Sequence, residues 1–135
     1  MVVVDASVIA PALTHEDPLG DRLRERLEGE RLAAPALIDL EVASIYRGYA
    51  RAGRLPARRA EVALADLAGM PLQRAPHGPL MPRIWELRDN LSAYDASYVA
   101  LAESLDTVLL TGDERLARAP GIQCEVELLT CRVTS

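Results

Sequence analysis

Short apolar runs alternate with amphipathic helical patterns along almost the whole of this 135-residue sequence. Between the runs, leucine, isoleucine and tyrosine recur every three or four residues, the spacing of one face of a helix. Strands that alternate with helices in this way favour a parallel sheet with helices on both faces. In such a sheet, ligands bind beyond the carboxyl ends of the strands. The runs predict five short strands, at residues 2–5, 31–34, 71–74, 107–111 and 123–128.

Local signals mark where several of the helices begin and end. Asp17 followed by Pro18 is a typical helix start, and Gly29 ends the leucine stripe that follows. Ser92 and Asp95 fit a capping box at the start of another helix. We expect the remaining helices at 36–52, 57–68, 80–91 and 94–105, with a short one after Asp113.

Composition narrows the classes of function. A chain of 135 residues with 50% hydrophobic content is long enough for one domain with a single core. All 15 basic residues are arginine, so the chain lacks the lysine that a Walker phosphate loop or a Schiff-base enzyme requires. The absence of lysine also disfavours a phosphatase or receiver domain with Asp5 as its nucleophile. Phenylalanine is absent and aromatic residues make up 4%, so we expect no aromatic platform for nucleic-acid bases.

Cysteine, histidine and the amino terminus carry little functional signal. Cys124 and Cys131 do not form a CxxC pair, and we expect reduced, inert thiols. His15 and His77 lack the spacing of a zinc site and are interpreted as loop residues. The first residues do not resemble a signal peptide and no run is long enough to cross a membrane, so we expect a cytoplasmic protein.

Four acidic residues occupy positions where a site is expected. Asp5 and Asp113 each follow a predicted strand. Asp95 lies in a first helical turn, and Glu41 borders the apolar stripe of its helix. Each acid also has an ordinary structural interpretation, as a helix cap for the aspartates and as a solvated helix charge for the glutamate. Their joint placement allows all four to converge on one edge of the sheet.

Carboxylates gathered in this way repel one another, by roughly 4 kcal/mol per pair at about 4 Å and an effective dielectric of about 20. Without a cation they would protonate or move apart. Mg²⁺ and Mn²⁺ resolve the conflict because both prefer oxygen ligands, and Mg²⁺ keeps several of its waters. Such ions activate water and stabilise a phosphoryl transition state. The cluster therefore predicts metal-dependent hydrolysis of phosphodiester bonds.

Several segments together carry a resemblance to a known family. In order and spacing they resemble a PIN-domain ribonuclease, and within that family a VapC-type toxin of a bacterial toxin–antitoxin pair. The resemblance implies one domain over residues 1–135, with an α/β three-layer sandwich around a central parallel sheet of four or five short strands. It also implies a Mg²⁺- or Mn²⁺-dependent endoribonuclease. The matching segments are Val2–Ser7, Leu40–Tyr46 around Glu41, Leu91–Ala102 (with Ala93-Tyr94-Asp95-Ala96 the most specific piece) and Leu109–Leu116.

The resemblance assigns the acidic residues position by position. Asp5 and Asp95 match the principal metal ligands of the family. Glu41 and Asp113 match the acids that complete the site, directly or through water. Some PIN domains carry a further acid two positions after the match to Asp113, where this chain has Arg115. We therefore expect one well-held metal ion.

Hydroxyl and arginine side chains are candidates for supporting the acids or contacting RNA. Ser7 and Thr111 match small hydroxyl positions that support the acids or contact phosphate, with turn and cap hydrogen bonding as the alternative. Arg47, Arg51 and Arg54 cluster near the end of the predicted helix 36–52, and arginine suits bidentate phosphate contact. The alternative for the arginines is a solvated face with charges favourable to the helix dipole.

The resemblance also implies partners. A small antitoxin protein would bind the chain, and the apolar stripe of helix 36–52 is a candidate for both the antitoxin groove and a homodimer face. RNA is the expected substrate, with transfer, ribosomal and messenger RNA all open. A PIN-like module that only binds a partner protein and a solitary nuclease without an antitoxin are the alternatives. A pure binding module has no need to gather four repelling acids, which argues against the first.

Overall fold

A computed structural model describes residues 1–130, and within them the chain forms five strands and seven α-helices. A 3₁₀ turn at Gly78–Leu80 precedes the fifth helix. In chain order the elements are β1 (Val2–Val4), α1 (Ala6–Thr14), α2 (Pro18–Leu27), β2 (Leu32–Pro35), α3 (Ile38–Arg51), α4 (Ala57–Gly69), β3 (Leu72–Ala75), α5 (Met81–Glu86), α6 (Ala93–Ser104), β4 (Leu109–Thr111), α7 (Glu114–Ala117) and β5 (Val126–Leu128).

The five strands form one parallel sheet in the order β3-β2-β1-β4-β5. The direction of winding reverses at β1, which pairs with β2 on one side and β4 on the other. Helices α1 to α4 pack against one another, and α5 packs against α6. Because crossovers between parallel strands are right-handed, the reversal places these two groups on opposite faces of the sheet. The three-layer parallel architecture predicted from the sequence is therefore confirmed.

The core lies at the centre of the sheet and under α6. Val3 and Val4 of β1 and Leu109 and Leu110 of β4 are fully buried, as expected for strands covered on both faces. Helix α6 contacts β1, β2 and β4, and its residues 96–102 are all buried. This packing fixes the ends of β1 and β4 relative to the first turn of α6, which is where the predicted acids lie.

Two predicted helix starts are confirmed. The Asp17 side chain accepts a hydrogen bond from Gly20 N–H at 2.9 Å, and Pro18 is the first helical residue of α2. Ser92 Oγ accepts a hydrogen bond from Asp95 N–H at 3.1 Å at the start of α6. Gly29, which has a φ of +77°, lies in the turn after α2. The left-handed conformation there explains why the leucine stripe ends at a glycine.

The helix predicted at 80–91 is wrong in its extent. Helix α5 covers only Met81–Glu86, with Leu87 as its cap and Leu91 outside it. Both Leu87 and Leu91 are nevertheless buried, so their spacing reflects a shared core rather than a continuous helix. Strands β4 and β5 are also shorter than predicted, because residues 107–108 and 123–125 lie outside them.

The remaining sequence expectations concern cysteine, histidine and the membrane. Cys124 is half-buried, and burial raises the pKa of its thiol to about 11, so it stays protonated at neutral pH. Cys131 lies outside the described residues. His15 and His77 lie outside helices and strands, as predicted. Among residues 1–130, no helix has the length and apolar character needed to span a membrane.

Candidate active site

A cavity of about 530 Å³ opens at the carboxyl edge of the sheet, and its lining includes side chains from separate elements. Asp5 directly follows β1, and Asp113 directly follows β4. Glu41 lies in the first turn of α3 and Asp95 in the first turn of α6. All four acids singled out in the sequence line this one cavity. The topology therefore brings together residues that lie up to 108 positions apart in the chain.

Asp5 is the most deeply buried of the four acids, with 6% of its surface exposed. Its Oδ1 atom accepts hydrogen bonds from the Ser7 hydroxyl at 2.5 Å and from Ser7 N–H at 3.1 Å. Its Oδ2 atom accepts a hydrogen bond from the Thr111 hydroxyl at 2.5 Å. The carboxylate thus caps α1 and is also fixed to β4. Ser7 and Thr111 are its direct partners.

The loop after β4 is tied to the same two hydroxyl groups. Gly112 N–H donates to Ser7 Oγ at 2.7 Å, and Asp113 N–H donates to Thr111 Oγ1 at 3.0 Å. A β-carbon at Gly112 would lie 3.2 Å from Ser7 Oγ and 3.3 Å from the Ser7 carbonyl oxygen. The close approach of two backbones explains the glycine here. It also holds the backbone next to Asp113 against Ser7, which is itself bonded to Asp5.

Glu41 is held by Tyr98, a residue to which the sequence analysis assigned no functional role. The Tyr98 hydroxyl donates to Glu41 Oε1 at 2.5 Å, which joins α6 to α3 across the cavity. The Tyr98 ring is buried, and its hydroxyl bonds to Glu41 at the cavity. The hydroxyl of a buried tyrosine needs a hydrogen-bond partner, and this requirement was the one sequence signal that pointed to a polar contact for Tyr98.

Burial raises the pKa of several of these carboxyl groups. It raises the pKa of Asp5 from 3.8 to about 6, against the lowering effect of the hydrogen bonds from Ser7 and Thr111. It also raises the pKa of Glu41 and of Asp95. Repulsion acts in the same direction, since the Asp95 charge raises the pKa of Asp5 and of Glu41. A cation in the cavity would remove this cost by favouring the ionised carboxylates.

Arg115 contributes a positive charge at one side of the acidic cluster. Its Nη2 atom lies 3.2 Å from Asp95 Oδ2 and 3.6 Å from Asp113 Oδ2. The Asp113 side chain also caps α7, because its Oδ1 atom accepts from Arg115 N–H at 2.9 Å and from Leu116 N–H at 3.3 Å. The cap interpretation of Asp113 is therefore confirmed, and the same side chain lines the cavity.

The donor chemistry of the cavity fits a hard divalent cation. All four acids supply oxygen, the ligand that Mg²⁺ and Mn²⁺ prefer. In the described part of the chain, however, no three acidic, histidine or cysteine side chains stand together closely enough to ligate one ion as they are placed. Mg²⁺ commonly binds through one or two carboxylates and retains water for its other positions. The site thus suits an ion held partly through water, not a closed protein cage.

The arginines predicted to contact RNA lie away from this cavity. Arg47, Arg51 and Arg54 are exposed, and none of them lines it. Arg54 instead lines a separate cavity with His15 and Tyr49. Sequence reasoning placed these residues correctly near the end of α3 but gave no distance from the acids.

Exposed apolar side chains form a rim at the acidic cavity, which sequence reasoning missed. Leu40 is 74% exposed and Tyr94 is 65% exposed, and both line the cavity. Leu37 and Tyr94 also line a smaller, mainly apolar depression beside it. Tyr94 was counted in the apolar stripe of its helix, and Leu37 and Leu40 gave no separate signal. We call the half-buried Leu37 and the exposed Leu40 and Tyr94 the apolar rim.

Comparisons with known proteins agree with this architecture. The PIN domain family model matches residues 2–122. Ribonuclease VapC9 of Mycobacterium tuberculosis (strain ATCC 25618 / H37Rv) is 43% identical over 129 residues, which cover 96% of this chain and 98% of the relative. The match therefore spans nearly the full length of both proteins.

Solved structures share the fold. The crystal structure of PAE2754 from Pyrobaculum aerophilum has a TM-score of 0.68 and 26% identity, covering 93% of this chain and 81% of that one. VapBC2 from Rickettsia felis, solved bound to a DNA fragment from its promoter, has a TM-score of 0.67 and 15% identity, covering 95% and 98%. At 15% identity the second likeness concerns the fold alone.

Proposed function

The chain belongs to the PIN-domain family and to its VapC ribonucleases, and we propose that it cuts RNA at the acidic cavity with a bound Mg²⁺ or Mn²⁺ ion. One observation carries the proposal. Four carboxylates from four elements line a single cavity at the point where the winding of the sheet reverses. This is the position where α/β sheets bind ligands. The described residues share one sheet and one core, which supports a single domain.

The reaction is hydrolysis of a phosphodiester bond. The oxygen of a water molecule forms a bond to phosphorus, one ester P–O bond breaks, and the leaving oxygen takes up a proton. When bound, the divalent ion activates water and offsets the negative charge that develops on the phosphoryl group. No covalent link between protein and RNA is required, because the attacking group is water.

Different residues have different roles in holding the ion and the reacting water. Asp5 and Asp95 are the proposed principal ligands, because they match the principal metal ligands of the family and because burial raises the pKa of both carboxyl groups, a cost that a cation would remove. Ser7 and Thr111 orient the Asp5 carboxylate, so its oxygens keep one direction when the ion binds. Glu41, fixed by Tyr98, and Asp113, fixed by the α7 cap, complete the site directly or through water.

The face of α3 that lines the cavity continues toward the arginines. Leu40 and Ser44 line the cavity. Arg47 lies seven residues after Leu40, and Arg51 lies seven residues after Ser44. Seven residues make about two helical turns and a rise of about 10 Å, so each pair lies on one stripe. We therefore propose that Arg47 and Arg51 contact RNA phosphates beyond the cleavage site. Arg54 lies past the end of α3 and extends the same basic region.

The toxin role follows from the family and is also a proposal. VapC ribonucleases are a toxin family, and the solved VapBC2 structure is bound to promoter DNA. We propose a small antitoxin partner, a homodimer and a cytoplasmic location for this chain. The apolar rim supports a protein partner at the cavity mouth, because exposed apolar surface at a site favours association. Expression of the chain alone should arrest growth, and Asp95→Asn should not; growth arrest by both would contradict the toxin role of the nuclease.

A PIN-like module that only binds a partner is the alternative. The buried Asp5 argues against it, because a carboxylate with a pKa raised by burial destabilises the ionised folded state. A module without metal chemistry would gain stability by replacing this acid with a neutral residue. The wild-type fold keeps Asp5 and supplies two hydroxyl donors for it.

The direct test is cleavage of a labelled RNA by purified protein. Wild type should cut with Mg²⁺ or Mn²⁺ and stop in excess chelator, and Asp5→Asn and Asp95→Asn should abolish cutting. Asp89→Asn is the matched control, since Asp89 is an exposed acid in the turn after α5. It should cut like wild type, and all variants should keep the wild-type circular dichroism spectrum. Cutting by Asp5→Asn, or cutting in chelator, would refute the proposed site.

A further inference from the structure

Arg115 occupies an unusual place for a basic side chain, at the edge of the acidic cavity. Its guanidinium lies between two of the proposed metal-site carboxylates, 3.2 Å from Asp95 Oδ2 and 3.6 Å from Asp113 Oδ2. Its own backbone N–H donates to Asp113 Oδ1 at 2.9 Å. Residue 115 therefore orients Asp113 through both its main chain and its side chain. No other arginine contacts an acid of the cavity within residues 1–130.

Building on the proposed function, we infer that Arg115 is a fixed second cation of this site. It neutralises the Asp95–Asp113 side of the cluster, limits the cavity to one divalent ion, and offers its other N–H groups to the phosphate during cleavage. Two carboxylates that share a cation need no further metal between them. Arginine keeps its charge throughout and presents five N–H donors in a rigid fork.

The exposure of Arg115 supports contact with substrate. Its side chain is 80% exposed although one end is held by two acids. A guanidinium that uses one nitrogen on the protein keeps donors available for a second oxyanion. Such a contact, aimed at charge that develops on the phosphoryl group, acts mainly on the rate of the chemical step. Arg115 is thus a positioning residue toward the acids and a proposed contact of the reacting phosphate.

Arg118 provides a matched control on the same short segment. Its side chain is 75% exposed and is also paired with an acid, Glu114, at 2.7 Å. Glu114 does not line the cavity. Substitutions at residues 115 and 118 therefore change the same charge at similar exposure, but only residue 115 contacts the site.

The experiment is a charge series at each position in the full chain, stripped of metal and titrated with Mn²⁺ alone. Free Mn²⁺ is counted by electron paramagnetic resonance. Wild type and Arg115→Lys should bind one ion per chain. Arg115→Gln should bind it about tenfold more tightly, because a divalent ion loses repulsion from a unit charge about 6 Å away in water. Arg115→Glu should bind two ions, and the Arg118 variants should match wild type.

Cleavage is then measured at saturating Mn²⁺. Arg115→Gln should cut about 10²-fold more slowly than wild type despite its tighter ion, as expected when a transition-state donor is lost. Equal behaviour of Arg115→Gln and Arg118→Gln would overturn the inference. So would two ions in wild type, or tighter Mn²⁺ binding with unchanged or faster cleavage, since Arg115 would then only compete for the acids. Absence of any Mn²⁺ binding by wild type would instead refute the proposed function, and this inference with it.

Discussion

The Tyr98 hydroxyl donates a hydrogen bond of 2.5 Å to Glu41 Oε1, across 57 positions of the chain. The bond joins the first turn of α3 to the buried middle of α6. It fixes one acid of the proposed metal site through a tyrosine whose side chain is buried. Residues of this kind, which orient a ligand without contacting the metal, are typical of metal sites.

Tyr98→Phe should therefore reduce cleavage by about tenfold, because a freed Glu41 no longer keeps its direction in the cavity. The loss of one buried hydrogen bond should also lower the free energy of unfolding by about 1 kcal/mol. Cleavage rates at several Mn²⁺ concentrations and urea denaturation in chelator measure the two effects.

Tyr46→Phe is the control for this prediction. Tyr46 is equally buried, and its hydroxyl donates to the Ala10 carbonyl at 2.8 Å, outside the acidic cavity. Its loss should lower the free energy of unfolding by a similar amount, about 1 kcal/mol, and leave cleavage unchanged. If both variants lost cleavage equally, the effect would be general destabilisation and the role assigned to Tyr98 would be wrong.

The raised pKa of Asp5 predicts how stability depends on pH in the metal-free protein. Between about pH 4 and pH 6 the folded protein holds a proton on Asp5 that the unfolded chain has already released. The contribution of Asp5 to the free energy of unfolding therefore falls as pH rises through this window. A pKa of about 6 against 3.8 corresponds to a loss of about 3 kcal/mol by pH 7.

Asp5→Asn removes this contribution. The variant should gain stability relative to wild type as the pH of metal-free samples rises from about 4 to about 7, by up to about 3 kcal/mol. Denaturant titrations at each pH in chelator measure the difference, and Asp89→Asn should show none of it. A difference between Asp5→Asn and wild type that stays flat with pH would contradict the burial assigned to Asp5.

Gly112 should not tolerate a side chain. In Gly112→Ala the new β-carbon would meet Ser7 Oγ at 3.2 Å and the carbonyl oxygens of Ser7 and Leu129 at 3.3 Å. We expect a loss of about 1–3 kcal/mol in the free energy of unfolding, together with slower cleavage because Asp5 and Asp113 move apart. Thermal unfolding and the RNA assay report the two effects.

Gly48→Ala is the control for this prediction, because a side chain at Gly48 should be tolerated. Gly48 lies inside α3, and a β-carbon there meets no atom within 4 Å. Alanine should raise the free energy of unfolding by about 0.5–1 kcal/mol, as in any open helix interior. If Gly112→Ala were as stable and as active as Gly48→Ala, the close approach of the β4 loop to α1 would not matter for the site.

Arg47→Gln combined with Arg51→Gln should weaken RNA binding and its dependence on salt. Each phosphate contact on a single strand contributes about 0.7 to the slope of log K against log salt, so the double variant should lose about 1.4. Binding is measured in chelator, where no cutting is expected. Arg22→Gln with Arg31→Gln is the control, because both residues are exposed and Arg31 precedes the amino end of β2, opposite the site. If the control variant lost as much of the slope of log K against log salt, the effect would come from net charge, and the proposed phosphate contacts of Arg47 and Arg51 would be wrong.

The acids were predictable from sequence because their positions depend on topology. Asp5 and Asp113 end strands, and the ends of neighbouring parallel strands must meet at one edge. The side chains that support them were harder to predict. Tyr98 fits an apolar helix stripe equally well, and only the packing of α6 on the sheet shows that its hydroxyl reaches Glu41. The contact of Arg115 with Asp95 likewise depends on how α7 meets the first turn of α6, across 20 positions of the chain.

The helix predicted at 80–91 failed for a related reason. Leucine and isoleucine at helical spacing predict a buried face, but a turn can also bury them. Leu87 caps α5, and Leu91 is buried from the turn that leads into α6. Periodicity thus identified the buried residues correctly, although the helix ends at Glu86 and the next helix begins after Ser92.

The most direct test of the central claim compares metal binding with cleavage in one preparation. Mn²⁺ is titrated into the metal-free full chain, and bound ion and RNA cleavage are measured at each concentration for wild type, Asp5→Asn and Asp89→Asn. We predict that binding and cleavage rise together in wild type and Asp89→Asn, and that both are lost in Asp5→Asn. Cleavage that appears before the ion binds, or that survives in Asp5→Asn, would contradict the assignment of the acidic cavity as the metal-dependent active site.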